Sequence, residues 1–222
     1  NILIAACYAK GKTTISNCAS EPEVKDLSKF LVKMGCNIKW IKKRRIEVIG
    51  VKKFKSTNYK IMFDRIEAGT FIIASALTAG NVVIKNINPE IINTELKILK
   101  KMGIKIIRNK IKLIVKSPKK IKNINIKTGP YPGFPTDLQA QIMVLMSKAK
   151  GESSITENIF ENRFMHVPEL SRMGANIIIK GNKAKIKGVE KLNGAEVMAT
   201  DLRASVSLVL AGLIAKRKTI IN

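Results

Sequence analysis

YPGFPTDLQAQ, Tyr131 to Gln141, places one acid, Asp137, directly before the nearly continuous apolar segment LQAQIMVLM. The same arrangement recurs along the chain. Helix-like segments open at Asn1, Arg65, Leu138 and Leu202, and the last three follow Asp64, Asp137 and Asp201. Each segment runs into a small turn ahead of a short β-branched run: Lys10-Gly11 before TTIS, Ala79-Gly80 before NVVIK, Lys150-Gly151 before SSIT, and Lys216-Arg217 before TII. The matching glycines Gly11, Gly80 and Gly151 are spaced by roughly 70 residues, as are Gly35, Gly103 and Gly174. A repeat with its acids at one phase predicts a cleft faced by several helix starts. Unpaired N–H groups and partial positive charge at those starts attract anions.

Hydrophobic periodicity gives each unit the order helix, strand, helix, strand, strand. In the second unit Arg65–Leu77 reads as an apolar helix, Val82–Lys85 as a strand and Ile91–Met102 as an amphipathic helix ending at Gly103. Ile104–Arg108 and Ile111–Val115 read as alternating strands joined at Asn109-Lys110. The first unit repeats the second helix at Val24–Met34 and the third at Phe164–Met173, ending at Gly35 and Gly174. The opening helices are apolar all round, so they are expected to be buried on nearly every side. With two helices and about four strands per unit, the fold class is α/β, built from α+β repeats with several sheets around a helical core. Repeat phase alone places a crossing between two domains in Lys55–Phe63, which gives domains of residues 1–62 and 63–222.

The 222 residues are 45% hydrophobic and 26% charged, the balance of a soluble globular chain. The longest apolar run, Val206–Ala215, is closed by Arg203 and Lys216, far short of a membrane span. Three cysteines, Cys7, Cys18 and Cys36, lack a C-x-x-C spacing, and His166 is the single histidine. Neither a disulfide framework nor a metal site is expected, and the setting is read as cytoplasmic and reducing. The formal charge of +25 raises nucleic acid as a partner. However, the lysines alternate with isoleucine at strand period or lie in turns, and aromatics make up only 5%. That pattern describes the solvated faces of half-buried strands, so nucleic acid is not an expected partner. The chain opens at Asn1 inside a helical pattern and stops at Asn222 in a strand-like run, so a piece cut at both ends is expected.

Five blocks carry a resemblance: EPEVKDL (Glu21–Leu27), DRIEAGTF (Asp64–Phe71), FPTDLQAQ (Phe134–Gln141), ENRFMHVPELSRMGA (Glu161–Ala175) and GAEVMATDLRASVSLVLAG (Gly194–Gly212). In order along essentially the whole chain, they resemble the UDP-N-acetylglucosamine 1-carboxyvinyltransferase family. The resemblance implies a two-domain inside-out α/β barrel of the enolpyruvyl transferase type, each domain made of three repeated units. Residues 1–62 would be the last unit of the first domain and 63–222 most of the second, without its C-terminal end. It also implies that the enolpyruvyl group of phosphoenolpyruvate passes to the 3-hydroxyl of UDP-N-acetylglucosamine by addition and then loss of phosphate, opening peptidoglycan precursor synthesis. The family needs no cofactor or metal, and a monomer is expected. None of the three cysteines matches the family's reactive loop cysteine, so this stretch alone is not expected to turn over.

The candidate site residues follow position by position. Asp137 matches the family's sugar-binding aspartate and base, whereas the residues alone would favour a helix cap. Arg163 and Arg203 match positions that hold the enolpyruvyl carboxylate, work suited to a planar guanidinium fork. Read without the family, they would pair with Glu161 and Asp201. Asp201 is expected to cap its helix and orient the catalytic neighbours. Thr136 and Ile159, the latter through its backbone, match UDP-sugar contacts. Glu21 is expected to contact the UDP-sugar and Asp64 to face the cleft, each with a cap or domain-contact charge as the simpler reading. His166 is expected to fix a helix start. Two other outcomes stay open from the sequence: a non-catalytic remnant, or a basic nucleic-acid-binding module.

Overall fold

A computed structural model describes Asn1–Asn222, and the chain divides into two units, Asn1–Met62 and Phe63–Asn222. In the first, the apolar helix α1 (Ile2–Tyr8) leads into β1 (Lys12–Ser16), α2 (Pro22–Lys33), β2 (Asn37–Lys42) and β3 (Arg45–Ile49). Pro22 opens α2, where its fixed φ fits and its missing N–H costs nothing. The strands form an antiparallel sheet in the order β1-β3-β2, with Thr14 opposite Glu47. Leu3, Ala6 and Cys7 of α1 bury against Leu31, Cys36, Ile46 and Val48. Burial, reinforced by a hydrogen bond and charge interaction with Cys36, pushes the Cys7 thiol up to about 12. This cysteine is therefore a packing residue rather than a nucleophile.

The second unit starts its repeat with α3 (Arg65–Leu77), β4 (Asn81–Lys85), α4 (Asn93–Lys101), β5 (Lys105–Asn109) and β6 (Lys112–Lys116). Two short strands follow, β7 (Ile121–Lys122) and β8 (Asn125–Lys127). The next repeat holds α5 (Gln139–Ser147), β9 (Ala149–Lys150), β10 (Glu152–Thr156), α6 (Val167–Arg172), β11 (Asn176–Lys180) and β12 (Lys183–Lys187). After β13 (Leu192–Asn193) and β14 (Glu196–Val197), α7 (Leu202–Gly212), β15 (Ala215–Lys216) and β16 (Ile220–Ile221) begin a further copy.

The expected unit order is therefore present, and within the second unit parallel pairs stitch one repeat to the next. β7 and β8 pair with β9 and β10, and β13 and β14 pair with β15 and β16. Within a repeat the strands are antiparallel, in the orders β4-β6-β5 and β11-β12-β10. Their alternation turns lysine outward and one set of aliphatic residues inward, while Val83, Ile107 and Ile178 stay exposed. In β12, KAKIK, Ala184 and Ile186 are buried while the three lysines face solvent.

The recurring glycines close helices for a definite reason. Gly35, Gly103 and Gly174 take φ of 104, 97 and 91°, a region where a Cβ costs about 1–2 kcal/mol. Behind each, two backbone bonds satisfy the carbonyls of the last turn. Gly103 N–H donates to Lys100 O at 3.0 Å and Ile104 N–H to Leu99 O at 3.2 Å. The same pair of bonds recurs after α2 and α6, and an apolar contact accompanies the motif, as with buried Leu99 and Ile104.

At the centre of the second unit lies α5, all of whose residues are buried. It packs against α3 and α7, with the sheets outside, which is the inside-out arrangement. Gly69 of α3 allows the close approach, since a Cβ there would stand 2.5 Å from Leu138 Cδ1. Two helices are shorter than their periodicity suggests. The span expected as Ile91–Met102 is helical over Asn93–Lys101, and that expected as Phe164–Met173 over Val167–Arg172. In the second case Pro168 sets the start, and residues 161–166 form turns instead.

Candidate functional site

The three phased acids do different jobs. Asp64 caps α3, its Oδ1 accepting from Ile66 N–H at 2.7 Å and Glu67 N–H at 3.1 Å. Asp201 caps α7 in the same way, accepting from Arg203 N–H at 2.7 Å and Ala204 N–H at 3.0 Å. Asp137 caps nothing. A 3-10 turn over Thr136–Leu138 precedes α5, with Leu138 N–H bonded to Pro135 O at 3.1 Å, and this turn frees the carboxylate from the helix end. Its Oδ1 accepts from Arg163 Nη2 at 2.8 Å and Arg203 Nε at 3.2 Å, and Oδ2 lies 3.2 Å from Arg203 Nη2.

Both arginines therefore converge on Asp137, and the local pairs with Glu161 and Asp201 that their spacing suggests do not form. Asp201 takes the main-chain N–H of Arg203 and leaves its guanidinium for Asp137. Arg203 engages the carboxylate side-on, using Nε and Nη2 against both oxygens. Arg163 also lies 5.0 Å from the centre of the Phe160 ring, which steadies its cation. The group is partly open to water, with side-chain exposures of 36% for Asp137, 23% for Arg163 and 32% for Arg203. An ion pair so exposed adds little to stability and can be exchanged for a ligand. Burial works to raise the Asp137 pKa, but the hydrogen bonds and charge of Arg203 and then of Arg163 outweigh it. The carboxyl is held below its ordinary value.

Glu157, which the sequence reading did not single out, joins the turns around this centre. It is 3% exposed. Its Oε1 accepts from Thr128 Oγ1 and Ile159 N–H, both at 2.8 Å, and from Phe160 N–H at 3.2 Å, while Oε2 accepts from Thr136 Oγ1 at 2.9 Å. Thr136 thus turns its hydroxyl to Glu157, and Ile159 has its N–H engaged by the same side chain. A cavity of about 770 Å³ opens beside this cluster, lined in part by Glu157, Phe160, Arg163, Phe164 and Asn182. The only hint in the sequence was an acid two and three residues ahead of N–H groups in a turn. Glu21, in the first unit, is half-buried at the N-cap position of α2 and makes no cap bond with its side chain. No three His, Cys, Asp or Glu side chains gather to share a metal ion. No helix is long and apolar enough to cross a membrane.

His166 stands at the start of α6 without a side-chain cap bond, and its Nε2 is buried and unpartnered. Burial lowers the imidazole from 6.5 to about 4, against the Asp201 charge and with a smaller push from Arg163 in the same direction. Between those values the unfolded chain binds a proton that the folded chain refuses. Stability is therefore complete above about pH 6.5 and falls as pH drops toward 4, by on the order of 3 kcal/mol from this group. Thermal melts at stepped pH should show this slope in the native protein and a flatter one in His166→Gln.

These features define a class. A model for the EPSP synthase (3-phosphoshikimate 1-carboxyvinyltransferase) family matches residues 1–222, and the chain belongs to that family. More particularly, it is 63% identical over 222 residues to the UDP-N-acetylglucosamine 1-carboxyvinyltransferase of Pelagibacter ubique (strain HTCC1062), covering all of this chain and 53% of that protein. It is 54% identical over 222 residues to UDP-N-acetylglucosamine 1-carboxyvinyltransferase 1 of Caldanaerobacter subterraneus subsp. tengcongensis, covering 54% of it. The chain thus spans about half the length of the curated relatives it matches. Among solved structures, the enolpyruvyl transferase NikO from Streptomyces tendae superposes with a TM-score of 0.85 at 23% identity, over 94% of this chain and 50% of that one. EPSP synthase from Acinetobacter baumannii gives 0.73 at 22%, over 96% and 53%. At those identities the likeness shows the fold.

Proposed function

We propose that the full-length protein carrying this chain transfers the enolpyruvyl group of phosphoenolpyruvate to the 3-hydroxyl of UDP-N-acetylglucosamine and releases phosphate. The observation that supports it most is the Arg163–Asp137–Arg203 cluster, in a chain 63% identical throughout to a relative bearing that name. On this reading residues 1–62 are the last unit of one domain and 63–222 most of the other. The enzyme works in the cytoplasm as a monomer and takes no cofactor.

In the mechanism Asp137 accepts the hydrogen bond of the sugar 3-hydroxyl, and the Ile159 carbonyl holds the sugar beside it. Arg163 and Arg203 then leave Asp137 for the incoming carboxylate, which each can grip through two N–H groups. That exchange resolves a conflict. A carboxylate held low by two cations is a poor base, but once both turn to the substrate, burial remains and lifts its pKa toward working pH. Asp137 can then take the hydroxyl proton as the sugar oxygen bonds to the central carbon of phosphoenolpyruvate, while a general acid of the full-length protein gives a proton to the methylene. Loss of a methyl proton, with phosphate leaving on the electron pair of its C–O bond, restores the carbon–carbon double bond and forms the enol ether. Asp201 holds the Arg203 backbone, and Asp64 does the corresponding capping work on α3.

The test is phosphate release by the full-length protein. Release that requires both phosphoenolpyruvate and UDP-N-acetylglucosamine, with an enolpyruvyl UDP-sugar identified by mass spectrometry, is the expected result. A folded, full-length protein that releases no phosphate overturns the reading.

A further inference from the structure

We propose that Glu157 is a positioning residue for the sugar, fixing the distance between the Asp137 carboxylate and the Ile159 carbonyl. The proposal rests on the transferase reading and extends it to a residue that touches no reacting atom. Three separate segments reach this one buried side chain. Thr128 follows β8, Thr136 sits in the 3-10 turn beside Asp137, and Ile159 and Phe160 lead into the turn that carries Arg163. The two oxygens divide the work. Oε1 gathers Thr128 and the two amide N–H groups, and Oε2 alone holds Thr136. The Glu157 backbone is itself anchored, its N–H donating to Asn182 O at 2.8 Å and its carbonyl accepting from Asn182 Nδ2 at 3.0 Å. Asn158 adds a second tie, its N–H donating to Thr128 Oγ1 at 2.9 Å.

The chemistry demands a carboxylate here. Four donors converge on one site, and only an acceptor with lone pairs on both oxygens meets them all. An amide of the same shape offers one acceptor oxygen, so either the Thr136 tie or the Ile159 and Phe160 ties must change. A shift of about 1 Å between Asp137 and Ile159 is enough to cost on the order of 100-fold in reaction rate. The two acceptors also specify the ligand. A carboxylate and a carbonyl held at fixed spacing recognise a group that presents two donors, such as a sugar hydroxyl beside an amide N–H.

Steady-state kinetics and calorimetric UDP-sugar binding on full-length Glu157→Gln, Thr136→Val and the double variant test the proposal. Glu157→Gln is expected to lower kcat/KM by roughly 10–100-fold, with KM for the UDP-sugar rising and KM for phosphoenolpyruvate little changed. Thr136→Val is expected to act in the same direction, and the double variant to be no worse than the more damaged single one, since both break one connection. Hydrogen exchange at Ile159 and Phe160 should quicken in Glu157→Gln. Should that variant fail to fold, Thr136→Val, which removes a single bond, decides on the same readouts. A lower Tm with unchanged UDP-sugar KM and affinity would make Glu157 merely structural and overturn the proposal, as would full additivity in the double variant. A wild type that binds the UDP-sugar without turnover would sink the transferase reading alone, and affinity would still report on Glu157. A wild type that does not bind it would sink both.

Discussion

Asp137→Asn in the full-length protein should lower kcat by roughly 10²–10⁴-fold, the range attributed to a positioned general base. Asparagine keeps the shape and can still accept one hydrogen bond from Arg163 or Arg203, so the turn over Thr136–Leu138 should survive. It cannot take a proton from the sugar hydroxyl. The fold should tolerate the change, because Asp137 is 36% exposed and its ion pairs contribute little in water. Its pKa is lowered, so what stability it gives is present above the ordinary carboxylate value and is lost as pH falls below about 4. Matched melts of the two proteins at neutral pH, beside the rate assay, separate lost chemistry from lost folding. A variant with native kcat would remove Asp137 from the reaction.

Arg203→Lys carries the second large effect, a loss of about 10²–10³-fold in kcat/KM, as expected when one preorganised donor to developing charge is removed. Lysine preserves the charge and loses the fork. The native guanidinium uses Nε and Nη2 against both oxygens of Asp137, a geometry that transfers directly to a substrate carboxylate and that an ammonium cannot reproduce. The loss should fall mainly on phosphoenolpyruvate, with UDP-sugar affinity nearly native. A change confined to the UDP-sugar would place Arg203 on the wrong substrate.

Much of the fold was legible because its signals are local. A glycine that must take positive φ after a helix, a cap acid two residues ahead of the N–H groups it binds, and lysine alternating with isoleucine are each settled within a few residues. The repeat shows because these signals return at one phase. The site was less legible because its contacts are not local. Arg163 and Arg203 reach Asp137 from 26 and 66 residues away, past nearer acids that spacing favours. Asp137 shares a phase with Asp64 and Asp201, yet one 3-10 turn converts a cap position into a carboxylate that meets two arginines instead. Glu157 was missed for the same reason, since two of its partners, Thr128 and Thr136, lie 29 and 21 residues off. The family resemblance supplied Asp137, Arg163 and Arg203 as candidates, and the geometry shows that they meet.

The most direct measurement is a crystal structure of the full-length protein with UDP-N-acetylglucosamine bound. The sugar 3-hydroxyl is expected within about 3 Å of the Asp137 carboxylate, with the Ile159 carbonyl on the same sugar. A nucleotide sugar bound elsewhere, with its 3-hydroxyl out of reach of the Asp137 carboxylate, would contradict it.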